Sequence, residues 1–249
     1  MRKLFALLLT IVSVSMGVNG QTKYPVEVFK TPQGGEVNIT LFTHASLGIE
    51  YKGYQIYVDV VGKRGEMIID YSGYPKADYL LVTHEHGDHF EPATLELLSK
   101  EGTPILLNAK SQGQLGKGFV IRNGESRDIT ENIHLSAVPA YNTTPEHLQF
   151  HPQGNGNGYV LTIDGLRIYV AGDTEDVPEM ADLKDIDVAF LPVNQPYTMT
   201  VEQAIHAAMM FKPKVLIPYH FSQTDIKPIK EYFDQHPEMG IEVRLRDMQ

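Results

Sequence analysis

Seven residues, Thr83-His84-Glu85-His86-Gly87-Asp88-His89, constrain this chain more than any other stretch. Three imidazoles and two carboxylates stand together there, directly after the apolar run Tyr79-Leu80-Leu81-Val82. The run is short and bounded by turn residues, so it reads as a buried strand. The ligand-bearing residues then fall where a strand gives way to a loop, the position from which rigid scaffolds present chemistry. Alternate side chains of an extended segment share a face, so His84 and His86 can grip one ion together. Asp88 and His89 lie past the Gly87 bend and can turn toward a second position. A solvated polar loop accounts for one histidine after a strand, but not for this spacing.

The rest of the chain repeats the same grammar. Val37–Phe42, Ser46–Tyr51 and Gln55–Val60 read as strands, with Lys52-Gly53 as the hairpin signal between the second and third. Pro92–Lys100 reads as a helix, with proline early and Gly102 just past its end. Ile105–Leu107 and His134–Ala140 return to strand character. Tyr159–Ile163 and Leu166–Val170 flank the strong hairpin dipeptide Asp164-Gly165, and Val188–Leu191 is another buried strand. Thr200 and Gln203 form a capping-box pattern opening a helix through Phe211. Lys214–Pro218 is a strand ending at Tyr219-His220, and Ile226–His236 closes the chain as a helix. Three apolar strands therefore end in ligand chemistry, at His84/His86, at Asp173 and at His220. In a sheet-based fold these ends gather along one edge.

Composition narrows the chemistry. The sequence contains no cysteine, so any metal site is built from histidine and carboxylate. Such ligands suit zinc, manganese or iron better than magnesium or calcium. Arg2 and Lys3 precede the apolar run Leu4–Val14, and small residues lead to Gly20 at a plausible cleavage point. Residues 1–20 read as a secretory signal peptide, leaving residues 21–249 as one domain. Export without cysteines fits a bacterial periplasm. Removing the leader takes the net charge from −10 to −12. So acidic a chain offers no footprint for nucleic acid or anionic membrane, and no integral membrane segment follows the leader. The partner expected is a small-molecule substrate, and no feature fixes an oligomeric state.

The pattern His84-x-His86-x-Asp88-His89, together with Gly172-Asp173-Thr174 and Tyr219-His220, resembles the metallo-β-lactamase superfamily across nearly the whole mature chain. Phe42-Thr43-His44-Ala45-Ser46 and the stretch Leu191 to Thr200 are similar to its stand-alone branch. That branch includes ascorbate-6-phosphate lactonase-like hydrolases and, more distantly, N-acyl-phosphatidylethanolamine phospholipases. The resemblance implies an α+β fold, a four-layer αβ/βα sandwich, with two divalent metal ions between its sheets, zinc before manganese or iron. It assigns His84 and His86 to the first metal, Asp88, His89 and His220 to the second, and Asp173 to a bridge. The family supplies a third histidine to the first metal where this chain has Asn142. His151 is the favoured replacement, with Asn142 or water, or else His147, as alternatives.

Other residues carry open roles. His44 ends a strand and stands either as a catalytic or substrate-side group or as a structural histidine. Asp59 either orients a ligand imidazole or caps a turn. Asn155-Gly156-Asn157-Gly158 reads as a flexible loop, with an anion nest as its alternative. Tyr141, Phe150, Tyr197 and Phe221 are candidate pocket residues. The expected function is hydrolysis of an ester, lactone, amide or phosphodiester by a metal-bound hydroxide on the Asp88/Asp173 side of the cluster. A non-catalytic metal-binding or sensor protein on the same fold is the alternative, motivated by Asn142.

Overall fold

The computed structural model describes residues 24–248, so the expected leader lies outside the described residues. Nine strands form the first half: β1 (Val26–Lys30), β2 (Glu36–Thr43), β3 (Ser46–Tyr51), β4 (Tyr54–Val58), β5 (Lys63–Arg64), β6 (Met67–Ile68), β7 (Tyr79–Leu81), β8 (Ile105–Leu107) and β9 (Phe119–Val120). Seven form the second: β10 (Ser126–Thr130), β11 (Ile133–Ala140), β12 (Gly156–Ile163), β13 (Leu166–Val170), β14 (Val188–Pro192), β15 (Val215–Tyr219) and β16 (Glu242–Val243). The helices are α1 (Pro92–Leu98), α2 (Ala109–Leu115), α3 (Val201–Phe211) and α4 (Lys227–Gln235).

Two seven-stranded sheets result, ordered β1-β2-β3-β4-β7-β8-β9 and β10-β11-β12-β13-β14-β15-β16. In each, four antiparallel strands give way to parallel pairing, at β4–β7 and at β13–β14. Alternation along the strands assigns the faces. Ile56, Val58 and Leu81 join the core between the sheets, whereas Tyr57 and Leu80 point the other way, onto α1 residues Leu95 and Leu98. On the far side, α3 lays Ala204, Ala207, Ala208 and Phe211 on the second sheet, whose β14 and β15 are buried throughout. This is the α+β four-layer sandwich expected. The α3 start carries the capping box: Gln203 N–H donates to Thr200 Oγ1 at 3.0 Å, and Thr200 N–H to Gln203 Oε1 at 2.9 Å.

Directionality sets the site. β2, β4 and β7 run the same way in one sheet, as do β11, β13 and β15 in the other. Their C-terminal ends lead respectively into His44, Asp59, the 83–89 loop, Asn142, Asp173 and His220. Buried tyrosines tie these ends to the core. Tyr159 Oη donates to Val82 O at 2.7 Å, and Tyr219 Oη accepts from Gly172 N–H at 2.9 Å. Among the described residues, no helix is long and apolar enough to cross a membrane.

One expectation is corrected. Gly156–Gly158 is not loop but the start of β12, in register with Ala140 to Val138. A Cβ at Gly156 would meet Ala140 O at 2.8 Å, so the glycine permits close backbone approach beside the site. Backbone donors committed to the ladder leave no anion nest there.

Candidate metal centre

The 83–89 loop is fixed from beneath by Asp59, which is fully buried. Thr83 N–H donates to its Oδ1 at 2.8 Å, and Thr83 Oγ1–H and His89 Nδ1–H to its Oδ2 at 2.6 and 2.8 Å. Thr83 Oγ1, having given its proton to Asp59, accepts from His84 Nδ1–H at 3.0 Å. Both histidines thus expend Nδ1–H on an acceptor and turn Nε2 inward. Of the two roles open to Asp59, the geometry is that of orientation.

His151 is set by the same logic. Its Nδ1 lies 3.1 Å from Asn142 Oδ1 and 3.0 Å from Tyr197 O, both acceptors, so Nδ1 carries the proton. Its Nε2 then faces His86 Nδ1 at 3.2 Å and Asp173 Oδ2 at 3.3 Å. Asn142, where the family pattern has histidine, orients His151 and also donates Nδ2–H to Tyr197 O at 2.9 Å. His147 is turned away, onto Glu175 at 3.0 Å.

Three overlapping groups of ligand atoms result, each within 4.8 Å: His84, His86 and His151; His44, Asp88, His89 and His220; and His84, His89 and Asp173. Asp173 joins the halves. Its Oδ2 lies 3.3 Å from His151 Nε2 and 3.2 Å from His220 Nε2, and its Oδ1 lies 3.2 Å from His89 Nε2. Gly172, before it, has φ +67°, and a Cβ there would meet Asn157 O at 2.7 Å. Only glycine brings Asp173 this close to the β12 backbone.

The donor set fits divalent cations. His89 Nε2, His220 Nε2 and Asp173 Oδ1 are buried and lack hydrogen-bonded partners despite their proximity. His84 Nε2 and His86 Nδ1 also approach at 3.1 Å. Such atoms aim at a common centre rather than at one another, an arrangement that costs free energy unless a cation sits among them. Titration tendencies agree. Burial pushes Asp173 up, but His220 and His89 outweigh it and hold the carboxyl well below its usual range. Burial pushes His89 down, yet Asp173 and Asp59 carry it well above the usual imidazole range, so a positive charge is wanted there.

His44 is buried, and its ring lies 3.6 Å from that of His220. Desolvation depresses its pKa to about 3, so it is neutral and donates Nε2–H to Asp88 Oδ2 at 3.0 Å. Asp88 is the exposed member of the cluster, with its side chain 42% accessible. His44, Asp59 and His220 all have left-handed backbones, with φ of 54°, 49° and 49°. Such values are sparsely populated for non-glycine residues and cluster here at the strand ends.

Three anchors escape a sequence reading. Glu85 sits inside the motif but turns out of the cluster, accepting from Asn108 and Asn155 at 3.0 Å and pairing with Lys110 at 3.1 Å. Glu175 accepts from Thr143 N–H, Thr143 Oγ1–H, Thr144 N–H and His147, pinning the loop that carries Asn142 and His151. Arg64 reaches Ser222, two residues past His220. Nothing in local spacing marks them, because each acts through a distant loop. Of the candidate pocket residues, Tyr141 lines a cavity of about 440 Å³ with Leu148 and Pro152. Phe150 and Tyr197 stack edge to face at 5.0 Å, whereas Phe221 belongs to the core.

Glu175 gives a pH signature. Burial pushes its pKa up, but the His147 and Thr143/Thr144 hydrogen bonds outweigh this and bring it from 4.5 to about 2. A carboxyl whose folded pKa is depressed contributes stability above its unfolded pKa, and loses it as pH falls through the folded value. Urea unfolding followed from pH 5 to pH 2 should show this loss, and Glu175→Gln should flatten that part of the profile.

A four-layer sandwich with a histidine–aspartate cluster at its strand ends defines a protein of the metallo-β-lactamase fold. Comparison with known proteins agrees. The beta-lactamase superfamily domain matches residues 38–220. A UPF0173 metal-dependent hydrolase of Ligilactobacillus salivarius is 32% identical over 204 residues, covering 78% of this chain and 89% of that protein. A crystal structure from Parabacteroides distasonis, assigned as a metal-dependent hydrolase, is 50% identical with a TM-score of 0.86, covering 91% of this chain and 100% of that one. Igni18, a metallo hydrolase from Ignicoccus hospitalis, is 25% identical with a TM-score of 0.69, covering 85% and 95%. The chain belongs to the beta-lactamase superfamily, in its stand-alone branch.

Proposed function

We propose that this chain is a metal-dependent hydrolase whose centre holds two divalent cations, with zinc the best-suited metal. The observation that carries this is the convergence of His151, His220 and His89 on the two oxygens of Asp173, with His89 Nε2, His220 Nε2 and Asp173 Oδ1 buried and unpartnered. His84, His86 and His151 would hold one cation, Asp88, His89 and His220 the other, and Asp173 would contact both. When bound, such cations supply Lewis acidity toward a substrate oxygen and make water a stronger acid. His44 keeps Asp88 ionised and aimed by donating Nε2–H to it. Asp59 and Asn142 hold His89 and His151 in the tautomers that present Nε2. Asp88, partly open to solvent, marks the side from which a small-molecule substrate enters. The bond broken is an ester, lactone, amide or phosphodiester, since all four place a carbonyl or phosphoryl oxygen, which a cation would polarise, on the carbon or phosphorus that water attacks.

The test is a panel of 4-nitrophenyl butyrate, a γ-lactone, an anilide and bis(4-nitrophenyl) phosphate. Turnover of at least one is expected, lost on dialysis against chelator and restored by zinc or manganese. No turnover of any member by metal-loaded protein, or turnover indifferent to chelation, contradicts the reading.

A further inference from the structure

The connection from β4 to β7 folds into the small β5–β6 hairpin, which leaves Met67 and Ile68 exposed. Its Arg64, the cross-strand partner of Met67, is partly buried. Arg64 Nη2–H donates to Ser222 Oγ at 3.0 Å, in the turn that follows His220. This bond holds the guanidinium at the rim of the metal centre, where its charge acts on both Asp88 and His44. Among the described residues, Arg64 forms no ion pair, although the chain carries 31 acidic residues against 21 basic ones. Ser222 occupies one of its five N–H donors. An arginine kept only to balance Asp88 would contact that carboxylate, as Arg244 and Arg246 contact Glu27. Arg64 is instead held by a neutral hydroxyl, with its remaining donors uncommitted.

We propose that Arg64 selects substrates bearing an oxyanion, a carboxylate or phosphate, close to the bond that is broken. The inference rests on the hydrolase reading and narrows its substrate class. A planar guanidinium offers two parallel N–H groups to such an anion, and a lysine ammonium does not. Held at the rim, the fork binds the charged part of a substrate while the scissile group lies over the cluster.

The test is calorimetric titration of inorganic phosphate and, in a second arm, acetate into the zinc-loaded full chain, as wild type, Arg64→Met and Arg64→Lys. Zinc stoichiometry is measured on each and reports an intact centre. Arg64→Met should weaken at least one anion by about tenfold or more, with Arg64→Lys intermediate. The arm that weakens names the anion. Equal binding by wild type and Arg64→Met, or no binding by wild type, overturns the proposal. So does loss of zinc in Arg64→Met with retention in Arg64→Lys, which would make the residue structural. Wild-type hydrolysis of neutral 4-nitrophenyl butyrate, followed in the same preparations, separates the two readings. Turnover without an arginine-dependent anion site removes only this proposal, whereas an anion site in a protein that hydrolyses nothing removes the hydrolase reading and with it the selection of substrates, leaving Arg64 as an anion-binding group.

Discussion

Asp173→Asn is expected to leave the protein folded, cost it roughly 10³-fold in kcat, and reduce its bound metal. The substitution keeps shape and removes one charge from a side chain that is 3% exposed. Asp173 faces His151, His220 and His89 with its two oxygens, and among the described residues no other carboxylate of these groups reaches both halves of the cluster. An amide presents one oxygen as a weak ligand and sets an NH2 toward a histidine nitrogen whose lone pair a bound cation would take. Loss of a cation's Lewis acidity, worth several kcal/mol in the transition state, corresponds to that rate factor. Circular dichroism, elemental analysis and turnover of the same sample check the three parts. Unchanged metal content with unchanged rate would remove Asp173 from the centre.

Asp59→Ala is expected to be the most destabilising single change in the site, at about 3–5 kcal/mol by urea unfolding. Asp59 is completely buried, and its removal orphans Thr83 N–H, Thr83 Oγ1–H and His89 Nδ1–H. Hydrogen bonds to a buried charge contribute about 1.5–3 kcal/mol each, though neighbours do not add fully. Alanine also tolerates φ of 49° poorly, whereas asparagine adopts it readily. Asp59→Asn therefore isolates the charge: it should fold, yet bind metal about 10–100-fold more weakly because His89 loses its orienting carboxylate. Equal metal affinity in Asp59→Asn would reduce the residue to a turn cap.

Much of this was legible in the sequence because burial writes itself into composition. β7, β13, β14 and β15 are central, and their apolar runs end at His84, Asp173 and His220. Six strands left no such mark: β5 and β6 of the small hairpin, and β1, β9, β10 and β16, the outermost strands of the two large sheets. An outermost strand buries one face at most, as the largely exposed Ser126–Thr130 illustrates, so no apolar run forms. Helix α2 was missed for another reason. It is seven residues long and contains Gly113, and its signals are its ends, Asn108 accepting from Ser111 N–H and Gly116 in a left-handed turn. Within the site, ligand types could be read from the motif. The pairings Asp59–His89, Asn142–His151 and Glu175–Thr143 could not, since spatial neighbours so far apart in sequence leave no periodic trace.

The central claim is that two sets of ligands meeting at Asp173 hold two cations. Elemental analysis of the wild-type chain and of His151→Ala, both purified without chelator, tests it most directly. The account requires close to two divalent metals per wild-type chain and close to one in His151→Ala. One metal or fewer in the wild type, unchanged by removing His151, would contradict it.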